Sequence, residues 1–251
     1  MPWIDLLHWQ PLWLGHAVAV FVLAGLVKGV VGLGLPTVAM ALLALRMAPA
    51  EAAALLVVPS LVTNIWQLRP WRTVGPLARR LAGMLLGVCA GTWMGAWLLG
   101  APAGAWARVA LGVALVAYAL WSLAGAQWRV AVRREGWLGP AMGGLTGWVT
   151  AATGVFVVPA VPYLQALALP RDAMVQAMGL CFTVSTLALA GGLALNAQFQ
   201  APVLGWSALL LGPALAGMGL GGWLRQRLSP LWFRRCLMVG LLALGGYMAL
   251  G

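Results

Sequence analysis

Acidic residues are nearly missing. Asp5, Glu51, Glu135 and Asp172 are the only four in 251 residues, and Lys28 is the only lysine beside fourteen arginines. Charged residues make up 8% of the chain, against roughly 25% in a soluble domain, which excludes a soluble globular fold. Histidine occurs twice, at His8 and His16, neither of them near a carboxylate in an apolar segment. Hydrolases and metalloenzymes gather His, Asp, Glu or Cys, so no catalytic residues, metal site or cofactor are expected. Cation transport and a proton relay want carboxylates inside the membrane, and none stands in mid-span. The three cysteines (Cys89, Cys181 and Cys236) lie in separate apolar segments without metal-ligand spacing and read as packing residues.

What is present is apolar. The chain is 63% hydrophobic with a mean hydropathy of +0.95, and runs of about 20 residues, enough to cross ~30 Å of hydrocarbon, recur along it. The longest polar stretch is the twelve residues from Gly125 to Gly136. The first run begins near Leu12, behind Asp5 and His8, without a basic region before it; it reads as a span and not as a signal peptide. The net charge of +11 does not point to nucleic acid, because the arginines sit in short connections: Arg69 to Arg80, Arg129 to Arg134, and Arg225 to Arg235. Tryptophans flank the same runs, as at Trp66, Trp71, Trp128, Trp223 and Trp232. Both patterns are those of loops at the cytoplasmic interface. A multi-pass protein of the cell (inner) membrane is expected, with the bilayer as a partner and no nucleic acid.

Two halves repeat one pattern. "GLVKG" at 25–29 matches "GGLTG" at 143–147, "MAPAEA" at 47–52 matches "ALPRDA" at 168–173, and "GTWMGAW" at 91–97 matches "GMGLGGW" at 217–223. The spans expected in the first half are 12–33, 34–45, 49–68, 78–99 and 105–124. Those in the second are 137–154, 155–169, 171–195, 203–223 and 232–250. The second piece of each half is too short to cross, so each half opens with a segment broken by glycine and proline. Placing all three arginine loops on one side requires an even number of crossings between 137 and 223, which favours a hairpin. Each half then crosses five times, and an odd count inverts one half relative to the other, a recurrent plan in secondary transporters. The expected fold is an all-α integral membrane protein of two inverted repeats, each opening with a broken or re-entrant helix hairpin, with 8–10 membrane segments. Residues 1–124 form the first repeat, 125–136 a basic cytoplasmic linker and 137–251 the second repeat. The ladder Gly83, Gly87, Gly91, Gly95 repeats every four residues, which lets another helix approach closely.

The segments "GLVKGVVGLGLPTVAMALLAL", "PAEAAALLVVPSLVTNIWQL" and "GGLTGWVTAATGVFVVPAVPYL" resemble the TauE/SafE sulfite-exporter family of membrane permeases over nearly the whole chain. The resemblance implies two homologous halves, each opening with a glycine-rich stretch, and export or uptake of small anions such as sulfite, sulfonates and other organosulfur acids. A small carboxylate or another inorganic anion is the alternative cargo, and a non-transport assembly subunit a further one. The chain departs from the commonest pattern at Leu35–Pro36, where many members carry further glycines. A small anionic substrate is thus the expected partner, and a homodimer is compatible.

Lys28 carries the question of substrate. A charge at the bilayer centre costs at least ~2.5–3.5 kcal/mol, and intramembrane charges line a cavity or pair. Glu51 and Asp172 each follow a proline in a first helical turn, where they complement the helix dipole, leaving Lys28 without an evident carboxylate. An anionic substrate would supply the partner. Snorkelling to the interface and a buried structural contact are the other readings. Gly32, Gly34 and Pro36 break the chain beside it, and the N–H groups of Thr37 and Val38 then face outward at a helix N-terminus that favours an anion. Thr153–Gly154 and Pro159 provide a comparable break in the second half, with Thr146 before it as a further candidate; a packing kink is the equal alternative. Polar residues cluster on the third segment of each half: Ser60, Thr63, Asn64 and Gln67 against Thr183, Ser185 and Thr186. They suit the oxygens of a sulfonate or carboxylate, or else hydrogen bonds between helices. Of these, Asn64 is the strongest single candidate, since a buried amide has four bonding positions to satisfy.

Overall fold

The computed structural model describes residues 11–250 apart from 103, 126, 127, 199, 200 and 228; the expectations at Asp5 and His8 lie outside them. The described chain is all-helical. The first half holds α1 (Pro11–Val31), α2 (Leu35–Leu43), α3 (Pro49–Trp66), α4 (Val74–Leu99) and α5 (Gly104–Ala124). The second holds α6 (Val132–Thr153), α7 (Ala160–Ala166), α8 (Arg171–Leu195), α9 (Ala201–Leu224) and α10 (Pro230–Leu250). Seven of the ten are long and apolar enough to cross a membrane; α2 and α7 are too short, and α6 begins in the charged stretch Arg133–Arg134–Glu135. The starts of α3 and α8 follow the signals in the sequence. Pro49 opens α3, and the Glu51 carboxylate accepts the Ala48 N–H at 3.3 Å. Pro170 precedes α8, with Asp172 in its first turn.

Both opening segments are hairpins. After α1 the chain turns at Gly32 (φ 84°) and Gly34 (φ 110°), left-handed values that cost glycine little. Returning, α2 brings the Leu42 backbone against His16 near the start of α1. After α6 the turn at Gly154 (φ 72°) leads through 155–159 into α7. Its last residue, Ala166, accepts a hydrogen bond from the Val130 N–H at 2.9 Å, beside the start of α6.

The most extensive helix contacts join α4 to α6 and α1 to α9, the same pairing with the halves exchanged. Glycines make both possible. A Cβ on Gly25 or Gly29 would strike the Ala214 or Met218 carbonyl, and one on Gly147 the Val88 carbonyl. The ladder on α4 faces Pro140, Gly144 and Ala151 of α6, the close approach that its spacing predicts. These contacts also correct the register between the halves. Gly25 lies against Ala214 and Met218 as Gly147 lies against Val88 and Thr92, so the partner of Gly25 is Gly147 and not Gly143. Helix ends agree, since α1 stops at Val31 and α6 at Thr153, each followed by a left-handed glycine. Thr150, not Thr146, therefore stands where Lys28 stands.

One proline ties the halves together. Pro59 lies inside α3 and has no N–H to give to the Leu55 carbonyl one turn earlier. Ser207 of α9 fills the gap: its hydroxyl donates to the Leu55 carbonyl at 2.8 Å and accepts the Val58 N–H at 3.0 Å.

The arginine loops gather at one end of the bundle. Arg80 forms a bidentate pair with Glu135, at 2.9 and 2.6 Å, and Arg234 donates twice to Ser122 at the end of α5. Gln176 near the start of α8 donates to the Leu68 and Pro70 carbonyls beyond the end of α3. Hence α3 and α8 run antiparallel.

Candidate functional site

Lys28 lies on the last turn of α1, just before the first break, and is 3% exposed. Its ammonium donates to Thr63 Oγ1 at 3.1 Å and to Asn64 Oδ1, both on α3. Neither partner is charged. The Lys28 head is thus turned inward to α3, which removes the snorkelling reading. Thr63 is held by its own helix, donating to the Pro59 carbonyl at 2.6 Å. Gln67, one turn after Thr63, donates to the Gly32 carbonyl at the tip of the hairpin. Around this group several buried polar atoms have no hydrogen-bond partner among the described residues: Asn64 Nδ2, Ser60 Oγ, Gln67 Oε1 and Thr37 Oγ1. One expectation about the backbone changes. The Val38 N–H is not free, because it donates to the Gly34 carbonyl at 2.8 Å as the first bond of α2.

The second break is built differently. Thr146, Thr150 and Thr153 are buried, and each hydroxyl donates back to the carbonyl four residues earlier on α6, at 2.6–2.7 Å. Thr153 Oγ1 also accepts the Val155 N–H at 3.1 Å, closing the end of the helix. Gly154 is packed against the first half: a Cβ there would meet Met40 Cε at 2.8 Å and Ala53 Cβ at 3.2 Å. On α8, Thr183 and Thr186 donate back to Gly179 and Phe182, while Ser185 lies beside the Cys181 thiol. Gly179 meets α3 at Asn64 and Gln67.

Seven of the fourteen candidate residues form two groups at different heights along α3. The first, at Lys28, Gly32, Ser60, Thr63 and Asn64, lies toward the arginine-rich end of α3. The second, at Thr153 and Gly154, lies against Ala53 near the other end. Eleven residues separate Ala53 from Asn64, or ~16 Å of helix rise. Thr183, Ser185 and Thr186 follow Gly179 along α8, alongside the middle of α3. Gly34, Pro36 and Thr37 belong to the turn into α2.

Gln176 is a residue that sequence reading passed over. Besides its two carbonyl bonds, its Oε1 accepts the Thr73 hydroxyl at 2.8 Å, so it clamps the loop after α3. Its one signal is a buried amide early in an apolar helix. Among the described residues, no three of His, Cys, Asp and Glu come together as metal ligands would.

A family model described as sulfite exporter TauE/SafE matches residues 17–248. No curated protein and no solved structure matches the chain. The match spans both hairpins, both glycine-packed helix pairs and every candidate site residue, and the chain belongs to the sulfite exporter TauE/SafE family.

Proposed function

We propose that this membrane transporter carries a small oxyanion, a sulfite, a sulfonate or another organosulfur acid, and binds it at the Lys28–Asn64 group. The observation behind this reading is a buried ammonium whose partners are two neutral oxygens. A charge moved out of water needs an opposite charge or a full set of hydrogen bonds. An anion would supply the first, and Asn64 Nδ2, buried and unpartnered, is an added donor on the residue that holds the ammonium. In the present conformation the group is shut from solvent, with Asn64 fully buried. A transporter must open such a site to each side in turn.

Inverted repeats would provide the motion. The exchange of contacts between halves (α1 on α9, α6 on α4) and the antiparallel run of α3 and α8 support that symmetry. With the arginine face cytoplasmic by the positive-inside rule, Lys28 lies toward the cytoplasm and Gly154 toward the outside. The hydroxyls of Ser60, Thr183, Ser185 and Thr186 then line the way between.

The test is a binding and transport screen of sulfite, sulfonates, thiosulfate and simple carboxylates on purified, reconstituted protein, run beside Lys28→Met. Saturable binding of an oxyanion that the variant loses is the expected result. Equal binding and uptake in Lys28→Met at wild-type expression would overturn the assignment of Lys28. Selective uptake of cations would overturn the substrate class.

A further inference from the structure

A cavity of about 520 Å³ lies away from both breaks. It opens at the arginine-rich end, among the end of α5, α7, the start of α8 and the start of α10. Trp121, Trp128, Arg129, Gln165, Arg234 and Arg235 are among its walls, and no carboxylate is. Its volume falls in the range of small-molecule sites.

We propose that this cavity holds the phosphate headgroup of an anionic phospholipid from the leaflet on the arginine-rich face. Three observations carry it. First, three guanidinium groups share one cavity with no acidic residue to neutralise them; Arg234 spends two N–H groups on Ser122 and has others left of its five. Basic pockets between membrane helices at this depth suit anionic headgroups. Second, the Trp121 and Trp128 rings pack 5.4 Å apart at the rim, the side chain that prefers the headgroup layer. Third, the rim continues into apolar surface at Leu231, which is 70% exposed on α10, giving acyl chains a path that a soluble anion would not need. Because α7 forms one wall, a bound headgroup would press on the returning arm of the second hairpin. The proposal does not depend on the substrate site.

Native mass spectrometry of the full chain with phosphatidylglycerol or phosphatidylcholine tests it. Wild type should retain phosphatidylglycerol preferentially. The double variant Arg129→Gln, Arg235→Gln should bind it about ten- to thirtyfold more weakly, from ~1 kcal/mol per arginine near the surface. Arg72→Gln, on the same face but outside the cavity, should bind within about twofold of wild type. A lysine pair at 129 and 235 keeps the charge and should recover most of the retention, which separates lost charge from lost fold. Equal retention in the glutamine pair, or an equal loss in Arg72→Gln, would overturn the proposal. So would displacement of the lipid by millimolar inorganic phosphate or sulfite, which would assign the cavity to a soluble anion.

Discussion

The two hairpin turns share a scaffold and differ in chemistry. Each follows a long helix seated on a glycine-lined partner, and each turns at a left-handed glycine, Gly32 or Gly154. At corresponding places one carries Lys28, bonded across to α3, and the other carries Thr150, bonded to its own helix. The apolar packing needs symmetry because both halves must bury the same kind of surface. The polar residues do not, and under the proposed assignment a single charged residue makes one end of the path electropositive. The difference teaches that the scaffold specifies where the chain can turn, while one substitution decides what the turn attracts.

The comparison can be broken first at the scaffold. Gly25→Leu and Gly147→Leu should be equally damaging, since each forces a side chain into a facing carbonyl. Overpacking costs typically 1–3 kcal/mol and can cost more. Loss of a monodisperse peak in size-exclusion chromatography for both variants is expected; a tolerated Gly147→Leu would undo the equivalence of the pairs. Next comes the charge. Lys28→Met should weaken oxyanion binding by about ten- to a hundredfold, as loss of a hydrogen bond to a charged group does, while Thr150→Val should leave affinity within about twofold. Comparable losses in the two would erase the asymmetry.

Asn64→Ala sharpens it further. Removing the amide leaves the ammonium with Thr63 alone, which should lower stability by about 1–3 kcal/mol. Most of that loss should vanish in a Lys28→Met background, read by thermal unfolding of the four-membered cycle. A strictly additive cycle would mean that Lys28 and Asn64 do not act together. The smallest effect belongs outside the membrane layer. Glu135→Gln breaks the Arg80 pair, a partly exposed ion pair that should contribute about 0.2–1 kcal/mol and less in high salt. A larger loss, insensitive to salt, would make it a structural clamp between the two halves.

Much of this architecture was legible in the sequence. Prolines at 49 and 170 and the glycines near 32 and 154 marked the helix ends, because only those residues suit such positions in an apolar chain. The register between halves was not legible. Glycines at 139, 143 and 147 repeat every four residues, so a slip of one turn keeps the matches, and only the helix ends and the facing carbonyls tell the two alignments apart. Asn64 stood out as a buried amide, but its role as a partner of Lys28 depends on α1 packing against α3 at one height, which no local pattern states. Nor did the sequence separate the candidates into two groups along α3: depth along a helix of uniform hydrophobicity leaves no trace in residue type.

The splice between Pro59 and Ser207 also has a meaning in time. Ser207 follows Val58 by 149 residues, and at 5–20 residues per second a ribosome needs roughly 7–30 s to make that stretch. For that interval the hydroxyl that answers the Leu55 carbonyl in the folded chain does not yet exist. The backbone of α3 is therefore completed only by a residue of the second half, which makes the two halves interdependent in assembly.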